Sequence, residues 1–144
     1  MASPLEAKLI LCDAAVADQA SGKVHMLGAG WSIASSPTPP QGVVVLAKIP
    51  WDRANQRIPL LLMLLDSDGN QVAMPGPKGP DPVLAEGEVE VGRPPGVRHG
   101  VPLDASFALN VGPMPLEPGR YEWRLTLAEG TWSEAFEVRA RQTR

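Results

Sequence analysis

The stretch Leu116-Glu117-Pro118-Gly119-Arg120-Tyr121-Glu122-Trp123-Arg124-Leu125-Thr126-Leu127 runs on through Ala128-Glu129-Gly130-Thr131 into Trp132-Ser133-Glu134-Ala135-Phe136-Glu137-Val138, and it decides the fold class. Tyr121, Trp123, Leu125 and Leu127 fall on one side of an extended chain, and Arg120, Glu122, Arg124 and Thr126 on the other. Strict alternation is the period of a strand with one buried face. Pro118-Gly119 turns the chain in, residues 128–131 reverse it, and Trp132, Phe136 and Val138 share a face of the return. The pattern predicts a β-hairpin.

Outward from this hairpin the same grammar repeats. Lys8 to Val16 and Lys23 to Leu27 read as strands around an Asp18–Gly22 turn. Val43 to Ile49, rich in β-branched residues between Gly42 and Pro50, reads as a third. Arg57 to Leu65 and a short Gln71–Ala73 strand flank Asp66-Ser67-Asp68-Gly69-Asn70, whose Asp-Gly supplies hairpin-turn chemistry. Val83 to Val91 alternates, with Val83, Ala85, Val89 and Val91 opposed to Leu84, Glu86, Glu88 and Glu90. Val101 to Val111 places Leu103, Ala105, Phe107, Leu109 and Val111 on one face. The 16 Pro and 14 Gly among 144 residues concentrate in 36–42, 74–82 and 92–100, so these are expected to be connecting loops without a regular ladder. Only Asp13 to Gln19 offers a helical alternative, and it is short. Eight or nine strands and no long helix predict an all-β, two-sheet antiparallel sandwich of immunoglobulin-like or related Greek-key type, with a small closed barrel as the alternative. The length is that of a single domain, expected over residues 1–138, with a polar tail at 139–144.

The pattern Leu11-Cys12-Asp13-Ala14-Ala15-Val16, then Gly22-Lys23-Val24 and Leu27-Gly28-Ala29-Gly30, with Leu116-Glu117-Pro118-Gly119-Arg120-Tyr121 near the end, resembles an uncharacterised family of small bacterial β-sandwich proteins. The resemblance implies the fold and brings no active-site residues with it.

The inventory of reactive side chains is thin. With two His and one Cys, sites built on His/Cys clusters are nearly excluded. His25 falls in a strand and His99 in a Pro/Gly loop. Ser32, in Gly30-Trp31-Ser32-Ile33-Ala34, lacks the second glycine of a nucleophile elbow. Cys12 has no disulfide partner in the chain, and Asp13 beside it opposes a thiolate, so a buried small hydrophobe is expected. Asp66-x-Asp68-Gly69-Asn70 begins like a calcium loop, yet Pro77 stands where the bidentate Glu belongs. Glu86, Glu88 and Glu90 read as a solvated strand face or a protected edge. Gly28-Ala29-Gly30 continues into no phosphate-binding turn. No catalytic residue, cofactor or metal is assigned, and a non-enzymatic protein is expected. Net charge of −3 argues against a nucleic-acid partner. The absence of a basic start with a long apolar run at the N-terminus, and of any apolar stretch of about 20 residues, leads to the expectation of a cytoplasmic protein without a membrane span.

The anomaly lies in strands apolar on both faces. In Ile58 to Leu65, the side bearing Leu61, Met63 and Leu65 is as apolar as its opposite. In Val43 to Ile49, Val44 and Leu46 oppose Val43, Val45, Ala47 and Ile49. Something must cover the second face: the chain's own loops and N-terminal segment, or another subunit. The expectation is a structural or interaction protein, self-associating or part of a larger assembly. Val44, Leu46, Leu61, Met63 and Leu65 are the interface candidates, with Trp31 and Trp51 as anchors. The alternative is an apolar small-molecule binder whose pocket is lined by Trp31, Trp51, Met63 and Leu65.

Overall fold

A computed structural model of the chain describes residues 5–141. Its elements, in order, are β1 (Glu6–Cys12), β2 (Ala14–Ala17), β3 (Val24–Leu27), β4 (Ile33–Ser35), β5 (Gln41–Ile49), a single 3-10 turn at Trp51–Arg53, β6 (Ile58–Leu65), β7 (Ala73–Gly76), β8 (Gly79–Pro82), β9 (Leu84–Val89), β10 (Leu103–Val111), β11 (Gly119–Leu127) and β12 (Gly130–Arg139). The protein is all-β, and no helix among the described residues is long and apolar enough to cross a membrane.

Four sheets form. β1-β5-β10 make a three-stranded sheet and β4-β12-β11-β6-β9 a five-stranded one; β2-β3 and β7-β8 are two-stranded ribbons. The hairpin that decided the fold class is present in register, with Tyr121 opposite Phe136 and Leu125 opposite Trp132. All pairings within these sheets are antiparallel except the short β4–β12 contact. Leu9, Leu11, Val43, Val45, Ile49 and Leu103 from the first sheet and Ile58, Leu62, Leu64, Trp123, Leu125, Leu127, Phe136 and Val138 from the second belong to one buried cluster. That cluster is the period-2 pattern of the sequence made physical: alternate apolar residues of each long strand enter it or pack against it.

Several expectations are corrected. Among the described residues twelve strands form, not eight or nine. Lys8 to Val16 is not one strand: the chain breaks at Asp13, whose backbone N–H donates to Leu27 C=O (2.9 Å), and turns out of β1 into β2. Asp13 to Gln19 is therefore not helical. Residues 71–73 form no strand of their own; Gln71 makes a single bridge to Leu65, and Ala73 opens β7. The 74–82 segment, expected to be irregular, is the β7–β8 ribbon. Pro75 pairs Pro80 and Pro82 pairs Ala73, while Met74/Asp81 and Gly76/Gly79 fill the intervening pairs. The prolines thus occupy alternate pairs that require no N–H, which leaves a ribbon available to a proline-rich sequence. β4 forms in a stretch read as no element, and Gln41 and Gly42 of β5 lie where a loop was expected. β12 runs through Arg139, one residue past the expected domain limit; Gln142–Arg144 of the expected tail lie outside the described residues.

The doubly apolar β5 has a cover supplied by its own chain. Cys12, Ala15 and Val44 form a second buried cluster on the outer side of the three-stranded sheet, flanked by Ile10, Val24, Met26 and Ala108. The β2–β3 ribbon lies over this cluster and is pinned there by Asn110. The Asn110 side chain accepts from Ala15 N–H (3.0 Å) and donates to Ala15 C=O (2.8 Å), standing in for a neighbouring strand. Gly42 makes room for this contact, since a Cβ there would lie 3.0 Å from both Asn110 Oδ1 and Cys12 Sγ.

Candidate functional site

The two main sheets are closed on each other over most of the core, and open along one flank. β9 is a terminal strand of the five-stranded sheet and β10 a terminal strand of the three-stranded sheet. Phe107 and Leu109 on β10 face the core yet are only half-buried, while their neighbours across the ladder, Val45 and Val43, are fully buried. Likewise Ala85 and Val89 on β9 are half-buried beside Leu62 and Ile58, which are buried. Between the two strands runs an open groove of about 620 Å³. Leu60, Val89, Val91, Ala105 and Phe107 give it an apolar floor, and Glu86, Glu88, Glu90 and Asp104 an acidic rim; the Asp18–Gly22 turn of the β2–β3 ribbon closes one part of it.

The free edge of β9, which borders this groove, has no strand partner among the described residues. Leu64 N–H donates to Val83 C=O (3.1 Å), which sets the phase of the β6–β9 ladder. Leu62/Ala85, Leu60/Gly87 and Ile58/Val89 are then the pairs that exchange hydrogen bonds, and Leu84, Glu86 and Glu88 turn their N–H and C=O groups away from β6. The sequence supports this phase locally. Pro59, opposite Glu88, has no N–H to give, and its carbonyl accepts from Ala128 on the other side. On the rim, Asp104 is paired with Lys48, and Glu90 lies 3.9 Å from Arg57. No ion pair is made by Glu86 or Glu88 among the described residues.

The residues singled out in the sequence are distributed as follows. Val44 is fully buried beneath the β2–β3 ribbon, and Leu46, two residues on, is 37 % exposed on the same face. Leu61 and Met63 are half-buried on the outer face of the five-stranded sheet. Their cross-strand neighbours are Thr126 and Arg124 on β11 and Glu86 and Leu84 on β9, so long polar side chains flank the apolar row. Leu65 is buried. Trp31 packs edge-on against Phe136 (5.5 Å), which stacks on Tyr121 (5.8 Å). Trp51 lies against the 92–100 loop: the Arg93 guanidinium sits 4.5 Å from the ring centroid and the His99 ring 5.0 Å away, and Arg93 also donates to Trp51 C=O (2.8 Å). That loop is thereby tied to the core edge by a cation–π contact and a hydrogen bond.

Trp31, Trp51, Met63 and Leu65 do not line one pocket. Trp31 follows Gly30, which bonds Leu11 at the Val43 end of β5, whereas Trp51 follows the Ile49 end. Six residues of strand separate these ends by about 20 Å, and Met63 lies on the opposite side of its sheet from the core residues Leu62 and Leu64.

The reactive groups are accounted for locally. Among the described residues no group of three or more His, Cys, Asp or Glu is placed to hold a metal ion. Asp66 Oδ1 accepts from the N–H of Asp68 and of Asn70 (both 2.9 Å), so the calcium-like sequence is a turn whose carboxylate is already engaged. Cys12 is free and fully buried; burial first, then the Asp13 charge, push its thiol pKa up, against a smaller opposing contribution from the Ala14 backbone. His25 is exposed on the β2–β3 ribbon opposite Val16, and His99 lies against Trp51.

No protein-family model matches the chain, and no curated protein matches it. The groove was missed by sequence reasoning because it depends on which strands end their sheets. The alternation of Glu86, Glu88 and Glu90 with Ala85 and Val89 was the one signal that pointed toward it.

Proposed function

We propose that this protein is a non-catalytic interaction module that accepts an extended, basic and apolar segment of a protein partner along the β9–β10 flank. The carrying observation is the half-burial of inward-facing Ala85, Val89, Phe107 and Leu109 beside an edge whose backbone groups are unpaired. A strand added to β9 would satisfy those groups, cover the apolar floor, and meet Glu86 and Glu88 with its own positive charges; this is strand addition, with backbone bonds supplying affinity and alternate side chains specificity. The same proposal includes the finer architecture: a two-layer sandwich of immunoglobulin-like or related Greek-key type, akin to the small bacterial family that the Leu11–Val16 and Leu116–Tyr121 motifs resemble. A cytoplasmic setting belongs with it, supported by a single buried thiol.

The outer-face contact expected at Val44, Leu46, Leu61, Met63 and Leu65 is the weaker surface, because Val44 and Leu65 are buried within the chain. The test is a titration of a fluorescent peptide of alternating Arg and Val, followed by anisotropy. Saturable binding is expected, and Glu86→Lys with Glu88→Lys should weaken it at least about tenfold, since reversing two rim charges turns attraction into repulsion. A peptide that fails to bind, or that binds the doubly reversed variant equally well, contradicts the proposal. Binding of an apolar small molecule in the groove, with no uptake of the peptide, would replace it with the ligand-binding alternative.

A further inference from the structure

The five-stranded sheet is charged oppositely at its two ends. At the β9 end stand Glu86, Glu88 and Glu90. At the β4 end, the exposed Ile33 (49 %) has Arg120, Arg139 and Arg141 around it, with Glu137 and Asp13 as opposing charges. Ile33, Glu137 and Arg120 form one cross-strand row on β4, β12 and β11, and Arg139 lies two residues beyond Glu137 on the same face.

The two patches cannot meet within one molecule. β12 and β9 are separated by β11 and β6, about 14 Å across the sheet. Along the strands, Arg139 lies beyond the Leu65 end of β6, whereas Glu86 and Glu88 are opposite Leu61 and Pro59 toward its other end, a further distance on the order of 30 Å. A symmetric pairing of two copies through β9 centred on Glu86 and Glu88 is disfavoured, because these residues of one would face the same charges of the other, and like charges directly opposed are destabilising.

We infer that the segment seated on the β9–β10 flank is β4, the other terminal strand of the five-stranded sheet, supplied by a second copy of this chain, so that the basic corner around Ile33, Arg120, Arg139 and Arg141 docks against Glu86 and Glu88 in a head-to-tail contact. The inference rests on the flank being a docking site, and it adds the occupant. Ile33 brings an exposed apolar side chain to a site with an apolar floor, and the arginines bring the complementary charge. A contact between unlike surfaces repeats from copy to copy and closes into a ring or runs on as a chain.

Sedimentation velocity of the whole protein at rising concentration tests this. At low ionic strength the wild type is expected to sediment above its monomer mass of 15.3 kDa, and to revert to monomer at high salt, where exposed charges are screened. Glu86→Lys/Glu88→Lys and Arg139→Glu/Arg141→Glu should each be monomeric alone, with thermal unfolding showing that both remain folded. Mixing the two restores association, because the lysine flank of one then meets the glutamate corner of the other. A wild type that stays monomeric at low salt overturns the inference while leaving the peptide titration to decide the docking site itself. Association that survives either charge reversal, or a mixture that stays monomeric, also overturns it.

Discussion

Trp123 is the largest fully buried side chain, and its indole N–H donates to Oε1 of the equally buried Gln41 (3.1 Å). A polar pair in the middle of an apolar core fixes one arrangement of the two sheets, since any slip would strand both groups without partners. Trp123→Phe leaves Gln41 unpaired and opens a gap, and is expected to cost about 2–3 kcal/mol, read from the urea midpoint at unchanged slope. Cys12 and Tyr121 carry a second residue-scale expectation. Burial is the first cause of the raised pKa at both, reinforced by Asp13 at the thiol and by Glu117 and Asp66 at the phenol. Each group binds its proton more tightly folded than unfolded, so neither alters stability below the ordinary thiol value of 9.0; as pH rises past it the unfolded chain sheds protons first and stability falls. The unfolding temperature should therefore decline on the alkaline side, less steeply in Cys12→Ala, and Cys12 should resist thiol reagents until the protein unfolds. Rapid modification of the native protein would contradict its burial.

At the scale of elements, the β2–β3 ribbon is held in place largely by contacts from outside itself. It has four residue pairs and an outward face of Ala14, Val16, His25 and Leu27, and it keeps its place through Ala15, Met26 and Val24 against the sheet and through the two Asn110 bonds. Asn110→Ala should cost about 1–3 kcal/mol and, more tellingly, raise amide hydrogen exchange across Ala14–Ala17 and Val24–Leu27 while leaving β11 and β12 protected. Uniform change over the whole molecule would mean that the ribbon is not a separate unit. The long strands were legible in the sequence: Tyr121–Leu127 and Leu103–Val111 announce themselves by period, and Ile58–Leu65 by an apolar run that ends at the Asp66–Asn70 turn. The short strands were not. β4 has three residues, β7 and β8 are written in proline and glycine, and β1 and β2 part at Asp13 through a bond to Leu27 that no local pattern encodes. Such elements exist because a neighbour is present, and neighbours are long-range facts.

For the molecule as a whole, the same distinction governs the candidate site. The apolar second faces of Val43–Ile49 and Ile58–Leu65 were legible as surfaces needing cover, and for Val44 the chain covers itself. The glutamate alternation on β9 was legible as an exposed face. That β9 and β10 end their sheets side by side, and so leave Phe107 and Val89 half-open between them, follows only from strand order. The proposed function depends on that opening and on the backbone groups of Leu84, Glu86 and Glu88 that point away from β6. Amide hydrogen exchange at these three residues, with and without the Arg/Val peptide, tests it most directly. All three amides are expected to exchange readily in the free monomer, at concentrations too low for self-association, and to slow when the peptide adds its strand. Protection already present in that monomer without peptide, or exchange that stays fast with the peptide bound, would contradict strand addition at β9.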